Sequence, residues 1–130
     1  QEKADITPWP DHYAVVEEKL ARAGGKLLAK ILPNLPEPVP QDDSQAIYCK
    51  FVKKEDGLLN LEDGPETNLR KVLAYSTWPG AYFFFNTKVD KKLRIVVKDA
   101  KIESGKFIPT IVIPEGKREM NWVEFLRGNA

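Results

Sequence analysis

The chain has 130 residues, 42% of them apolar and 30% charged, with a formal net charge of +1. That suffices for one globular domain with a real core and argues against disorder, while so small a net charge names no partner. No apolar run approaches the ~20 residues of a membrane helix, and a lone cysteine, Cys49, excludes an internal disulfide or a cysteine-based zinc site and fits a reducing, cytoplasmic setting.

The opening, Gln1-Glu2-Lys3-Ala4-Asp5, has neither an initiator methionine nor a signal peptide's apolar core, and reads as an excised or processed piece of a longer chain. Residues 1–10 end in Pro8-Trp9-Pro10 and predict an extended lead-in. Asp11 is a candidate N-cap. Tyr13, Val16, Leu20, Ala23, Leu27 and Ile31 then recur at steps of three and four. The spacing predicts a helix over 11–32 with one apolar stripe, stopped by Pro33. Gly24-Gly25 weakens that helix by about 1 kcal/mol per glycine relative to alanine, a cost that close packing would explain. Pro33, Pro36, Pro38 and Pro40 predict a stiff extended connector. No basic residue flanks it, so it reads as a linker rather than an SH3 ligand.

Residues 46–53 alternate in a way that predicts a strand, with Ile47, Cys49 and Phe51 on one face. Lys53-Lys54-Glu55-Asp56-Gly57 predicts a turn, and 58–61 a short strand. Asp63 as cap and Pro65 in the first turn open a helix whose buried stripe is Leu69, Val72 and Leu73. It ends at Thr77-Trp78-Pro79-Gly80-Ala81-Tyr82, where proline bars further helix and glycine lets the chain turn out as a strand. Ala81–Asn86, 92–103 and 106–113 are predicted strands, separated by polar turns at 87–91 and Ser104-Gly105. In Leu93-Arg94-Ile95-Val96-Val97-Lys98, apolar and basic residues partly alternate, as on a half-exposed sheet, whereas Ile111-Val112-Ile113 should lie deeper. Pro114-Glu115-Gly116-Lys117 predicts a turn. Asn121 and Glu124 form a capping box for a last helix, with Trp122, Val123, Phe125 and Leu126 on its apolar face and Gly128 at its end.

Short, closely spaced strands, one helix between the second and third, and a closing helix predict a domain that is mainly β with helices. The expected architecture is an OB-like open Greek-key barrel, preceded by one long N-terminal helix and a proline-rich linker. The expected division is lead-in and helix over 1–32, linker over 33–40 and barrel over 41–130.

Most enzyme signatures are missing: there is no Walker loop, no dinucleotide glycine fingerprint and no HExxH. His12, the one histidine, reads as a surface residue at a helix start, and Cys49 as an inert buried thiol on the apolar face of its strand. Asp42-Asp43 and Asp56 lack the spacing of a cation site. The charge distribution says more. Residues 1–40 hold five Lys/Arg and six Asp/Glu, whereas 86–106 hold seven basic residues (Lys88, Lys91, Lys92, Arg94, Lys98, Lys101, Lys106) against Asp90, Asp99 and Glu103. Lys50, Lys53 and Lys54 on one predicted strand and turn, and Lys88, Lys91, Lys92, Arg94 and Lys98 on a predicted hairpin, are the candidate nucleic-acid contacts, with Tyr48 among them. A solvated strand edge, where lysine discourages aggregation, is the plainer reading. Trp78 and Phe83-Phe84-Phe85 are assigned to the core.

Taken in order, several segments resemble the C-terminal portion of the methionyl-tRNA formyltransferases. They are Pro40-Gln41-Asp42-Asp43-Ser44-Gln45-Ala46-Ile47-Tyr48, Lys50, Lys54-Glu55-Asp56-Gly57-Leu58, Arg70, Trp78-Pro79-Gly80-Ala81, Leu93-Arg94-Ile95, Pro114-Glu115-Gly116-Lys117 and Phe125-Leu126-Arg127-Gly128. The likeness covers 40–128, and the helix at 11–32 resembles the last helix of that family's catalytic domain. Two departures stand out: Ser76-Thr77 where the family has Asn-Pro, and Asn60-Leu61 where it often has Asp-Trp. The resemblance implies an OB-like barrel that helps hold initiator tRNA. It implies a parent enzyme whose Rossmann-like N-terminal domain binds 10-formyltetrahydrofolate and carries an Asn-His-Asp catalytic set. No member of that set falls in this chain, so neither catalytic residues nor a cofactor are expected here. Without that catalytic domain, the first helix should cover its stripe on its own barrel or by self-association. The alternative is a structural or dimerisation tail of a formyltransferase acting on amino sugars or on formyltetrahydrofolate, with the basic residues paired to Asp90, Asp99 and Glu103.

Overall fold

A computed structural model describes residues 1–129 as a four-stranded antiparallel sheet with three α-helices. Helix α1 (Tyr13–Ile31) comes first, then α2 (Pro65–Ala74). Strands β1 (Ala81–Asn86), β2 (Lys92–Glu103), β3 (Lys106–Pro114) and β4 (Met120–Asn121) follow, and α3 (Trp122–Asn129) closes the chain. Neighbours in sequence are neighbours in the sheet, so the strand order is that of a meander.

Period-two alternation sets the sheet. Ala81 and Phe83 of β1, Leu93, Ile95 and Val97 of β2, and Val112 of β3 all bury on one face, against Val72 of α2 and Phe125 of α3. The register pairs Phe83 with Ile95 and Val97 with Val112. It shifts around Asp99, where β2 departs from regular pairing. The turns carry the residues that left-handed backbone favours: Gly80, Gly105 and Gly116 have φ of 81, 73 and 72°. Pro65 sits in the first turn of α2 as expected, but the cap position falls to Gly64, and Asp63 instead accepts from the Asn60 carboxamide at 3.1 Å.

Several expectations are corrected. Residues 46–53 form no strand, and all eight are exposed. Their alternation is real, but a strand needs a neighbour, and β1 meets only Leu58 and Leu59 along its free edge, through a single parallel bridge and the Leu59 N–H to Tyr82 O bond at 2.7 Å. Cys49 is therefore exposed rather than buried. The turn at 53–57 is a 3-10 helix over Lys54–Gly57, and 58–61 contributes only that bridge. Asp11 does not cap α1. His12 holds the cap position, and the Asp11 carboxylate lies 3.6 Å from Lys19 Nζ. Gly24 and Gly25 have nothing within 4 Å of where a Cβ would stand, so close packing does not explain them. Trp78, in the corner before β1, is 59% exposed instead of joining the core. On α3, Phe125 is buried and Trp122 and Leu126 pack against the core, whereas Val123 is exposed, and Gly128 lies inside the helix.

The stripe of α1 is only partly covered, with no residue of the helix fully buried. Tyr13 and Val16 border a cleft with Arg70, Leu73 and Ala74 of α2; Val16, Ala23, Leu27 and Ile31 are half-buried, while Tyr13 and Leu20 are exposed. The chain's own sheet does not supply the cover that the sequence led us to expect.

Candidate nucleic-acid interface

Burial of Phe83 and Phe85 on the core side of β1 turns Tyr82 and Phe84 to the opposite face. On β2 the same alternation buries Leu93, Ile95 and Val97 and sends Lys92, Arg94, Val96 and Lys98 outward. Antiparallel pairing sets the two outward rows side by side, with Phe84 opposite Arg94 and Tyr82 opposite Val96. Diagonal contacts then form. The Arg94 guanidinium carbon lies 4.0 Å from the Tyr82 ring centroid, and Lys92 Nζ lies 4.7 Å from that of Phe84. Tyr82 and Phe84 meet edge to face at 5.9 Å.

The eight candidate cations divide into groups. Lys92 and Arg94 belong to this ladder, and Lys88 and Lys91 lie in the adjoining β1–β2 turn. Lys98 shares the face by alternation, but its ammonium donates to the Ser76 carbonyl at 3.2 Å and so ties β2 to the corner before β1. Lys53 and Lys54 stand at the start of the 3-10 turn, and Lys50 lies on the exposed 46–53 segment beside Tyr48. Among the described residues, none of the eight forms an ion pair with a carboxylate. The ion pairs are His12–Asp99, Lys19–Asp11, Arg22–Glu18, Arg70–Glu66 and Lys101–Glu103. Acids border the face as well: Asp90 lies between Lys88 and Lys91 in the turn, and Glu115 accepts a long 3.4 Å bond from the Arg94 backbone N–H.

Tyr82 and Phe84 are the residues that sequence reasoning missed. Its error was to treat Phe83-Phe84-Phe85 as one core run, although the alternation within a strand already separates the middle ring from its neighbours.

The other candidates are plain. His12 sits 3.7 Å from Asp99 at the surface. Asp42 accepts from the Ser44 hydroxyl at 2.6 Å, from the Ser44 N–H at 3.0 Å and from the Gln45 amide at 2.9 Å. The Ser44 hydroxyl bond leads in holding this carboxyl below its ordinary range, helped by the Ser44 backbone and Gln45. Asp42 is thus the cap of a 3-10 turn over Asp43–Gln45. Among the described residues there is no group of three or more metal-binding side chains, and no helix is long and apolar enough to cross a membrane.

Fold and face together define a small mixed α/β domain, mainly sheet, with an aromatic and cationic outer surface. Residues 52–113 match the family described as formyl transferase, C-terminal domain. The chain is 32% identical to a methionyl-tRNA formyltransferase of Dictyoglomus thermophilum, an alignment covering 97% of this chain and 48% of that protein. It is 30% identical to one from Thermus thermophilus, over 92% of this chain and 45% of that protein. Over 64% of this chain it is 41% identical to one from Dehalococcoides mccartyi, covering 28% of that protein. The chain belongs to the methionyl-tRNA formyltransferase family through its C-terminal domain, and it spans about half the length, or less, of these relatives.

Proposed function

We propose that this chain is the tRNA-holding part of a methionyl-tRNA formyltransferase. The parent enzyme transfers a formyl group from 10-formyltetrahydrofolate to the amino group of methionyl-initiator tRNA. The chemistry belongs to its N-terminal catalytic domain, and this domain grips the nucleic acid. Lysines and arginines displace counterions from the phosphates and set the register of the tRNA for the catalytic half.

The observation that supports this reading is that, among the described residues, none of the eight candidate cations forms an ion pair with a carboxylate. Had the basic residues served only to balance local acids, as in a structural tail, Asp99 and Glu103 would pair with them. Of Asp90, Asp99 and Glu103, Glu103 does pair with a base of the wider cluster, Lys101, but Asp99 faces His12, and among the described residues no carboxylate, Asp90 included, forms an ion pair with any of the eight candidates.

Initiator-tRNA affinity of the chain should fall as salt rises, linearly on a log–log plot. The variant Lys91→Glu with Lys92→Glu should bind about tenfold more weakly and flatten that slope by roughly 0.9 for each phosphate no longer neutralised. An affinity indifferent to salt would overturn the reading.

The finer OB-like barrel also belongs to this proposal. Closing it requires residues 46–53 to add to the sheet, and in hydrogen exchange their amides should then be protected. Free exchange across 46–53 would rule the closure out.

A further inference from the structure

The outer face holds more than charge. Phe84 is 48% exposed in the middle of a strand, where burial would be the ordinary fate of so large a ring. On that face it meets Tyr82 with the two rings nearly perpendicular, and Lys92 Nζ lies 4.7 Å from its centroid. The Arg94 guanidinium carbon lies 4.0 Å from the Tyr82 ring centroid, and a guanidinium stacked on an aromatic ring has a second face to offer. Neither Lys92 nor Arg94 forms an ion pair with a carboxylate among the described residues.

We propose that Tyr82, Phe84, Lys92 and Arg94 form a stacking platform for unpaired nucleotides of RNA. One base takes the place over the Phe84 ring that the Lys92 ammonium holds in the free chain, a second stacks on the Arg94 guanidinium, and the displaced Lys92 with the turn residues Lys88 and Lys91 takes the flanking phosphates. This rests on the RNA-binding reading above and sharpens it, because that reading needs only a charged surface. A duplex keeps its bases stacked on one another and offers only their edges, so it can meet the lysines but cannot give a base face to Phe84. The Tyr82 and Phe84 ring centroids stand 5.9 Å apart, wider than the roughly 3.4 Å rise per nucleotide of a stacked strand, which suits bases taken singly. Aromatic platforms accept every base, so the preference is for single strands rather than for a sequence.

The test uses the full chain with two probes at one salt concentration: an eight-nucleotide single-stranded RNA, and a short RNA duplex with the same number of phosphates. The single strand should bind more tightly. Phe84→Leu, which keeps apolar bulk but removes the π face, should weaken single-strand binding about tenfold, as expected for the loss of one base–aromatic stack. It should leave duplex binding and the salt slope unchanged. Independently of any variant, the Phe84 ring resonances of the unmodified chain should shift when the single strand is added and stay in place with the duplex. Equal affinity for the two probes, or unmoved Phe84 resonances, would overturn the platform while salt-sensitive duplex binding kept the electrostatic reading intact. Failure of both RNAs to bind would remove the two together.

Discussion

Phe125→Ala should destabilise the chain by about 3–5 kcal/mol, the range for removing a fully buried phenylalanine ring. Phe125 is 1% exposed and belongs to the set of aromatic contacts that hold α3 to the sheet. It stacks on Trp122 with ring centroids 5.2 Å apart and meets Phe85 edge to face, also at 5.2 Å. Trp122 in turn meets Phe83 and Phe85 at 5.7 and 5.8 Å. Taking out the Phe125 ring leaves a cavity walled by rigid rings, which collapse into it poorly, so both the transfer and cavity costs apply. Urea denaturation measures the effect. Phe125→Leu should lose less, and Val123→Ala, on the exposed side of the same helix, should stay within about 0.5 kcal/mol of the parent. A loss below about 1 kcal/mol for Phe125→Ala would mean that α3 is not docked. A domain of this size has only about 5–15 kcal/mol of stability in total, so the variant is expected to approach the edge of folding.

The elements that were legible in the sequence are those decided by local pattern. Strands β1, β2 and β3 follow from alternation and from glycine at the turns, and α1 and α2 from their three-and-four spacing and the flanking prolines. Elements that depend on a distant partner were not legible. Ile47, Cys49 and Phe51 alternate as well as any strand in the chain, yet nothing in their own sequence reveals that no strand lies beside them. Asn68 is a second case. It is fully buried in α2 beside the expected stripe of Leu69, Val72 and Leu73, and its side-chain amide donates to the Asn60 carbonyl at 2.9 Å and to the Asp63 carbonyl at 3.4 Å. The preceding loop folds back to receive the amide NH2, while Asn68 Oδ1 is buried with no hydrogen-bond partner among the described residues, and helix periodicity contains neither fact. At the candidate site the cations of the hairpin could be named from composition. The aromatic rings between them could not, because a run of three phenylalanines suggests burial until the two faces of the strand are separated.

Gly57→Ala should cost roughly 2–3 kcal/mol through forced overpacking. Two of the segments that carry the family likeness, Lys54-Glu55-Asp56-Gly57 and Trp78-Pro79-Gly80-Ala81, turn out to be halves of one joint. Gly57 is buried, and a Cβ placed on it would collide with the carbonyl oxygen of Gly80 and come within 3.2 Å of Pro79 Cγ. The requirement is for space rather than for backbone freedom, because Gly57 is not among the residues with positive φ, whereas Gly80 is. Relief would have to come from moving the corner, and the corner is held. Gly80 N–H donates to the Tyr75 carbonyl at 3.1 Å, Ala81 starts β1 with no exposed surface, and the next carbonyl, that of Tyr82, receives the Leu59 N–H. Displacing Gly80 therefore strains the end of α2, the first core residue of β1 and the bridge to Leu58 together. Gly25→Ala is the matched control. It lies in open space on α1 and should lose no stability, and by helix propensity it should gain up to about 1 kcal/mol. Denaturation of the two variants side by side makes the comparison. If Gly57→Ala proves as harmless as Gly25→Ala, the 3-10 turn does not rest on the corner in solution, and the link between the segment carrying Lys53 and Lys54 and the sheet carrying Lys92 and Arg94 goes with it.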